Sequence, residues 1–120
     1  MKLGEQAEGF RTIFQVKNTS NGQFDLIEEE FEEFVQEHWH WTANPLINQT
    51  KADCLKELAD LVYVCYQYAA CHNWDLDTAM ERVHQSNLSK LGPNGEVLRR
   101  EDGKILKGPN YQPPNLIDLV

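Results

Sequence analysis

From Phe24 to about Trp41 the apolar positions Phe24, Ile27, Phe31, Phe34, Val35 and His38 recur at i, i+3/i+4 and i+7, the spacing of a helix with one buried face. Such a stripe has to be laid against another element, so this spacing commits the chain to packed helices. A second long helix is predicted after Thr50, with Thr50 as N-cap, and runs to about His72, where Asn73 closes it. TANPLINQT (42–50), with a proline and two asparagines, breaks the chain between the two. EQAEGFRTIFQV (5–16) repeats the helical spacing and gives a short first helix, separated from the next by the loop NTSNG (18–22). LDTAMERVHQSNLSKL (76–91), capped by Asp75 or Asp77 and stopped at Gly92-Pro93, is the fourth. The expected fold class is all-α and four-helix-bundle-like. Residues 92–120 differ in texture: Asp102-Gly103 between VLRRE and KILKG signals a short hairpin, and the Pro-rich remainder an extended tail. At 120 residues the chain is expected to be one domain, 1–120, with a helical core over about 1–91.

Charge removes one class of function. The formal net charge is −8, and residues 1–91 hold 15 acids against 7 bases, whereas polyphosphate chains are gripped by clustered Lys and Arg. No nucleic acid polymer is expected as partner, and an acidic surface of this density suits divalent cations. Cys54, Cys65 and Cys71 are odd in number and lack CxxC spacing, so neither a disulfide framework nor a zinc ribbon is suggested. The N-terminus has no apolar signal region, and the longest uncharged stretch, Leu61–Trp74, is too short to span a bilayer. The expected location is the cytoplasm.

LIEEEFEEF (26–34) places five glutamates in six positions. With about 100° per residue and Ile27 as zero, Phe24, Phe31, Phe34, Val35 and His38 fall within about 80° of it and form the buried face. Glu30 and Glu33 lie together on one flank with Glu37 continuing the line, Glu29 and Glu32 point outward, and Glu28 borders the other flank. Alone, such a run is most simply a solvated helix face, because Glu is a good helix former. A second pair shifts the balance: Glu57 and Asp60, again i, i+3, emerge together from the third helix. Beyond them Leu61–Cys71 is apolar almost all round, so Asp60 stands at the edge of a segment expected to be buried centrally or at a subunit interface. Carboxylates removed from water need a partner, and two facing i, i+3 acidic pairs are how helical bundles build metal sites. All-oxygen ligands favour Mg²⁺ or Mn²⁺.

ExxE at Glu30/Glu33, a helix–loop–helix spacer and ExxD at Glu57/Asp60 within KELADLVYV resemble the all-α nucleoside triphosphate pyrophosphohydrolases: the MazG, dCTP pyrophosphatase and phosphoribosyl-ATP pyrophosphohydrolase group. VHQSNLSKLGPNGEVLRREDGKILKGPNYQPPNL (83–116) is similar to the single-domain MazG-like proteins of phages and bacteria, and the likeness covers roughly residues 22–115. It implies a MazG-type fold, Mg²⁺ held by Glu30, Glu33, Glu57 and Asp60, and cleavage between the α and β phosphates to a nucleoside monophosphate and pyrophosphate. Glu30 or the adjacent Glu29 is then the candidate general base. Lys90 is expected to meet the pyrophosphate and Asn87, one turn earlier, the sugar or phosphate.

Arg99, Arg100, Lys104 and Lys107 in the hairpin are candidates to close over phosphates, weighed evenly against plain surface charge. In HWHW (38–41), Trp39 and Trp41 are candidates for stacking a nucleobase, with ordinary packing expected for at least one. A single domain of this type also implies a symmetric partner, hence a homodimer or homotetramer. The expected activity is (d)NTP + H₂O → (d)NMP + pyrophosphate. The alternatives are hydrolysis of phosphoribosyl-ATP or an alarmone, or a non-enzymatic acidic helical protein that binds a basic partner.

Overall fold

The computed structural model describes all residues, 1–120, and contains four α-helices: α1 (Leu3–Ile13), α2 (Ser20–Ala43), α3 (Asn48–Cys71) and α4 (Leu76–Leu88). A three-residue 3-10 turn, Ile117–Leu119, closes the chain. Two compact units divide it, Met1–Trp74 and Asp75–Val120. The all-α expectation is met.

In the first unit α2 and α3, each 24 residues long, pack along each other, and α1 packs on α3. Their four-residue connection forces an antiparallel pair. Asn44 makes that turn tight, since its side-chain amide donates to the His40 carbonyl at 2.8 Å and its backbone N–H to that of Trp41 at 3.0 Å. α2 begins four residues earlier than its apolar stripe indicates, because the Thr19 hydroxyl accepts the Gly22 N–H at 3.1 Å and draws the expected loop into the helix. Thr50 is not the N-cap of α3. Ile47 occupies that place, and the buried Thr50 hydroxyl instead donates to the carbonyls of Ile47 (2.7 Å) and Asn44 (3.1 Å), tying the first turn of α3 to the loop.

The centre of this unit is partly polar. Gln23 is only 2% exposed, accepts from the Asn18 amide at 2.7 Å and donates to the Val64 carbonyl at 3.1 Å, while Arg11 donates to Asn18 at 2.9 Å. Gln67 likewise donates to the Ala7 carbonyl. These bonds satisfy groups whose burial would otherwise cost ~1–3 kcal/mol each, and they set the α1–α2–α3 register. Apolar burial is sparse: Ala7, Cys54, Tyr66 and Ala69 are the buried hydrophobic residues. Val62 and Tyr63 remain exposed, so the apolar segment Leu61–Cys71 is only partly covered within one chain.

In the second unit Asp75 caps α4, accepting both the N–H and the hydroxyl of Thr78. α4 ends at Leu88, short of the predicted Leu91. Ser89 ends it, its hydroxyl donating to the Ser86 carbonyl at 2.6 Å and accepting from the Gln112 N–H at 3.0 Å. Lys90 therefore lies beyond the helix rather than one turn along from Asn87. The hairpin is present in minimal form, one antiparallel bridge Arg99↔Ile105, with Gly103 at φ +89° and Arg100 clamped onto Asp102. The tail runs back along α4, held by Ser86 to the Gln112 carbonyl and by Arg82 to Asp118 and the Asn115 carbonyl.

Gly108 is the close-approach point. Its N–H donates to the Lys90 carbonyl at 2.9 Å, and a Cβ there would stand 2.5 Å from the Leu91 carbonyl oxygen. Gly108→Ala is expected to detach that strand from the end of α4 and to cost about 1–3 kcal/mol. Amide exchange would read it as faster exchange at Gly108 and Gln112, and unchanged protection there would contradict the expectation.

Candidate metal centre

Because α2 and α3 run antiparallel, a carboxylate flank on one is brought level with a carboxylate flank on the other. Glu30 and Glu33, one turn apart on α2, meet Glu57 of α3, and one oxygen from each lies within 4.8 Å of the others. All three residues are half-buried. Glu30 Oε2 and Glu57 Oε2 are enclosed and have no hydrogen-bond partner. An oxygen shut away from water with nothing to accept is costly, and the remedy is a proton or a cation.

The electrostatics agree. Burial, reinforced by hydrogen bonding to Glu33 and by the negative charges of Glu33, Asp60 and Glu57, pushes the Glu30 carboxyl up to about 7 from an ordinary 4.5. Asp60 contributes to that field yet stands apart from the three-residue cluster, with its carboxylate 2.6 Å from the Lys56 ammonium. Lys56 also reaches Glu57 at 3.5 Å. This Lys56–Asp60 pair is legible in the sequence as an i, i+4 spacing, although Lys56 is not among the residues that the motifs single out. Glu28, Glu29 and Glu32 are exposed and outside the cluster.

The donor set is oxygen only, which fits a hard divalent cation; no thiolate or imidazole joins it. The model of the phosphoribosyl-ATP pyrophosphohydrolase family matches residues 4–87, a span that takes in α2, α3, all but one residue each of α1 and α4, and all three clustered glutamates. The chain belongs to this family. It is therefore an enzyme, a hydrolase acting on phosphoric anhydrides within the MazG-like all-α pyrophosphohydrolases, and the acidic binding-protein alternative is set aside. No curated protein matches the chain. The phosphoribosyl-ATP pyrophosphohydrolase family is typically dependent on a divalent metal, and the Glu30–Glu33–Glu57 cluster supplies suitable ligands.

In the second unit Asn87, Lys90 and Arg99 line one pocket of about 170 Å³, walled by Leu88, Leu91, Val97, Leu98 and Ile105. The tertiary structure thus collects three of the candidate phosphate contacts. The family match ends at Asn87 and does not include Lys90 or Arg99. Lys107 is elsewhere, its ammonium 4.8 Å from the centre of the Tyr111 ring, and Arg100 is held by Asp102. Trp39 is 66% exposed whereas Trp41 is half-buried, and the His38 ring meets both edge-on. Trp41 falls about 20° from Glu30 around α2 and about 16 Å along it; Trp39 points the opposite way. No helix is long and apolar enough to cross a membrane.

Proposed function

We propose that this enzyme is a Mg²⁺-dependent nucleoside triphosphate pyrophosphohydrolase, taking a (d)NTP and water to a (d)NMP and pyrophosphate, with Mn²⁺ as a substitute. The observation that carries the reading is the pair of enclosed, unpartnered oxygens of Glu30 and Glu57 beside Glu33. Glu30, Glu33 and Glu57 hold the ion, with Asp60 completing the set once Lys56 releases it. A divalent cation held by these carboxylates would supply charge neutralisation at the phosphates and would lower the pKa of a water for hydrolysis. Glu30, a member of the cluster, and the adjacent exposed Glu29 are the two candidate bases for the attacking water.

Asn87, Lys90 and Arg99 are the proposed contacts of the phosphate chain, a role supported by their shared pocket and by the resemblance of this segment. Trp41, on the glutamate flank of α2, is the better placed tryptophan to stack a base; Trp39 and Lys107 are the weaker candidates. The sparse apolar burial supports a homodimer or homotetramer. Three free cysteines suit a reducing cytoplasm.

The family's own name gives a second substrate, phosphoribosyl-ATP, cleaved by the same chemistry. A panel of dNTPs, NTPs, phosphoribosyl-ATP and an alarmone, with products resolved by chromatography, separates these readings. Monophosphate plus pyrophosphate from a (d)NTP, abolished by chelation and restored by Mg²⁺, is the expected result. Turnover of phosphoribosyl-ATP alone, or turnover that survives chelation, would reject the proposal.

A further inference from the structure

One cation is bonded into the carboxylate centre by the chain itself. Of Lys2, Arg11, Lys17, Lys51 and Lys56, the lysines and arginines of Met1–Trp74, Lys56 alone is ion-paired there. Its Nζ stands 2.6 Å from Asp60 Oδ2 and 3.5 Å from Glu57 Oε1. The two oxygens of Glu57 are thereby divided: Oε1 faces the ammonium, whereas Oε2 is enclosed and has no partner. Glu57 is also the contribution of α3 to the three-glutamate cluster, so the ammonium and a divalent cation draw on the same carboxylate. The Lys56 side chain is 68% exposed against 17% for Glu57, which places the charge on the solvent side at the end of a flexible stem. A pair of that exposure is screened by water and holds weakly. An ion of twice the charge, coordinated directly by carboxylate oxygens, outcompetes it.

We propose that Lys56 is a resident counter-ion of the metal centre: a divalent cation displaces its ammonium from Glu57 and Asp60, and the freed ammonium then meets the phosphate chain of the substrate. The inference rests on the metal-dependent reading above and adds a phosphate contact that neither the motifs nor the second unit supplies. Charge is the reason for the second step. The reaction brings a polyanion up to Glu30, Glu33, Glu57 and Asp60, all half-buried, and like charges meeting in such a site repel unless cations stand between them. A displaced Lys56 remains tethered one residue from Glu57, so its charge stays where the phosphates arrive. An ammonium suits this exchange of partners, since it is a compact point charge with three rotatable donors and no planar fork to realign. In the absence of the ion it offsets part of the repulsion among the carboxylates, which keeps Glu57 and Asp60 together on the metal side of α3.

The test begins with metal alone. Mn²⁺ is titrated into the full chain without nucleotide, and the free ion is read by its EPR signal. Lys56→Met, which removes the charge and keeps an unbranched stem, is expected to bind Mn²⁺ at least about tenfold more tightly than wild type. Lys51→Met, whose exposed charge lies about 140° round α3 from Lys56 and outside those ion pairs, is expected to stay within about twofold. In wild type the ¹⁵N signal of the Lys56 ammonium is expected to move toward those of the exposed lysines as Mg²⁺ is added, and this measurement decides the displacement should Lys56→Met unfold. With Mg²⁺ present, an α,β-methylene (d)NTP, which cannot be cleaved at that bridge, is expected to bind Lys56→Met at least about tenfold more weakly than wild type. Tighter metal with looser nucleotide in one variant is the signature. Mn²⁺ binding that is unchanged or weaker in a folded Lys56→Met, equal tightening by Lys51→Met, or a Lys56 signal that ignores Mg²⁺ overturns the displacement. Unchanged binding of the analogue overturns the phosphate contact, and a wild type that binds no Mn²⁺ overturns both. A wild type that binds Mn²⁺ but not the analogue refutes the proposed chemistry and the phosphate contact with it, while the displacement of Lys56 stands or falls on the metal data.

Discussion

Glu57→Gln is expected to lower kcat by at least about a hundredfold while the helices stay intact. Glu57 is the contribution of α3 to the three-carboxylate cluster, and one of its oxygens is enclosed without a partner. The amide keeps the size of the side chain but removes the charge that a divalent cation requires. It also removes a negative neighbour of Glu30 and Glu33, so the metal-free variant should unfold at a higher temperature than wild type by a few degrees, in line with about 1 kcal/mol of relieved repulsion. Loss of function joined to gain of stability is the signature to look for. Glu32→Gln, at an exposed position outside the cluster, is the control and should be nearly silent in both measurements. Equal losses from the two variants would mean that the acids act only as a general negative field.

Metal-free protein should lose stability between pH 5 and pH 8. Glu30 binds its proton more tightly in the folded chain, near 7 against an ordinary 4.5, because of burial first, then Glu33, Asp60 and Glu57. A raised carboxyl contributes stability that is fully present below the unfolded value and is lost as pH rises through the folded value, since ionisation then has to occur in an enclosed site. Asp102 and Asp118, both lowered by arginine partners, shift stability only at acid pH below this window. Mg²⁺ should act in the opposite sense, raising the melting temperature more at pH 8, where Glu30 is ionised, than at pH 5, where it holds a proton that the ion must displace. Thermal melts in chelator and in Mg²⁺ at the two pH values check both signs. A chelated protein with the same melting temperature at pH 5 and pH 8 would show that the carboxyls are not packed as described.

The long helices, the acidic flank at Glu30 and Glu33 and the pair at Glu57 and Asp60 were legible because each depends on spacing within one helix, and residues three or four apart share a face wherever that helix packs. Helix ends were less so. Thr50, Thr19 and Ser89 have the same capping chemistry on paper, yet Thr19 extends α2, Ser89 shortens α4, and Thr50 turns its hydroxyl back to the loop. Which carbonyl or N–H lies within reach of a short side chain is decided by the chain around it.

The sequence by itself determined that the chain is helical, that it carries two carboxylate pairs, and that those pairs resemble a nucleotide-hydrolysing family; periodicity and residue type suffice for that. Only the tertiary structure decided that Glu30, Glu33 and Glu57 converge while Asp60 is taken by Lys56, and that Lys90 leaves its helix to share a pocket with Asn87 and Arg99. The reason is physical: faces are local, but convergence depends on the register between α2 and α3. That register is fixed by long-range bonds, such as Gln23 to the Val64 carbonyl, which no spacing within a helix contains.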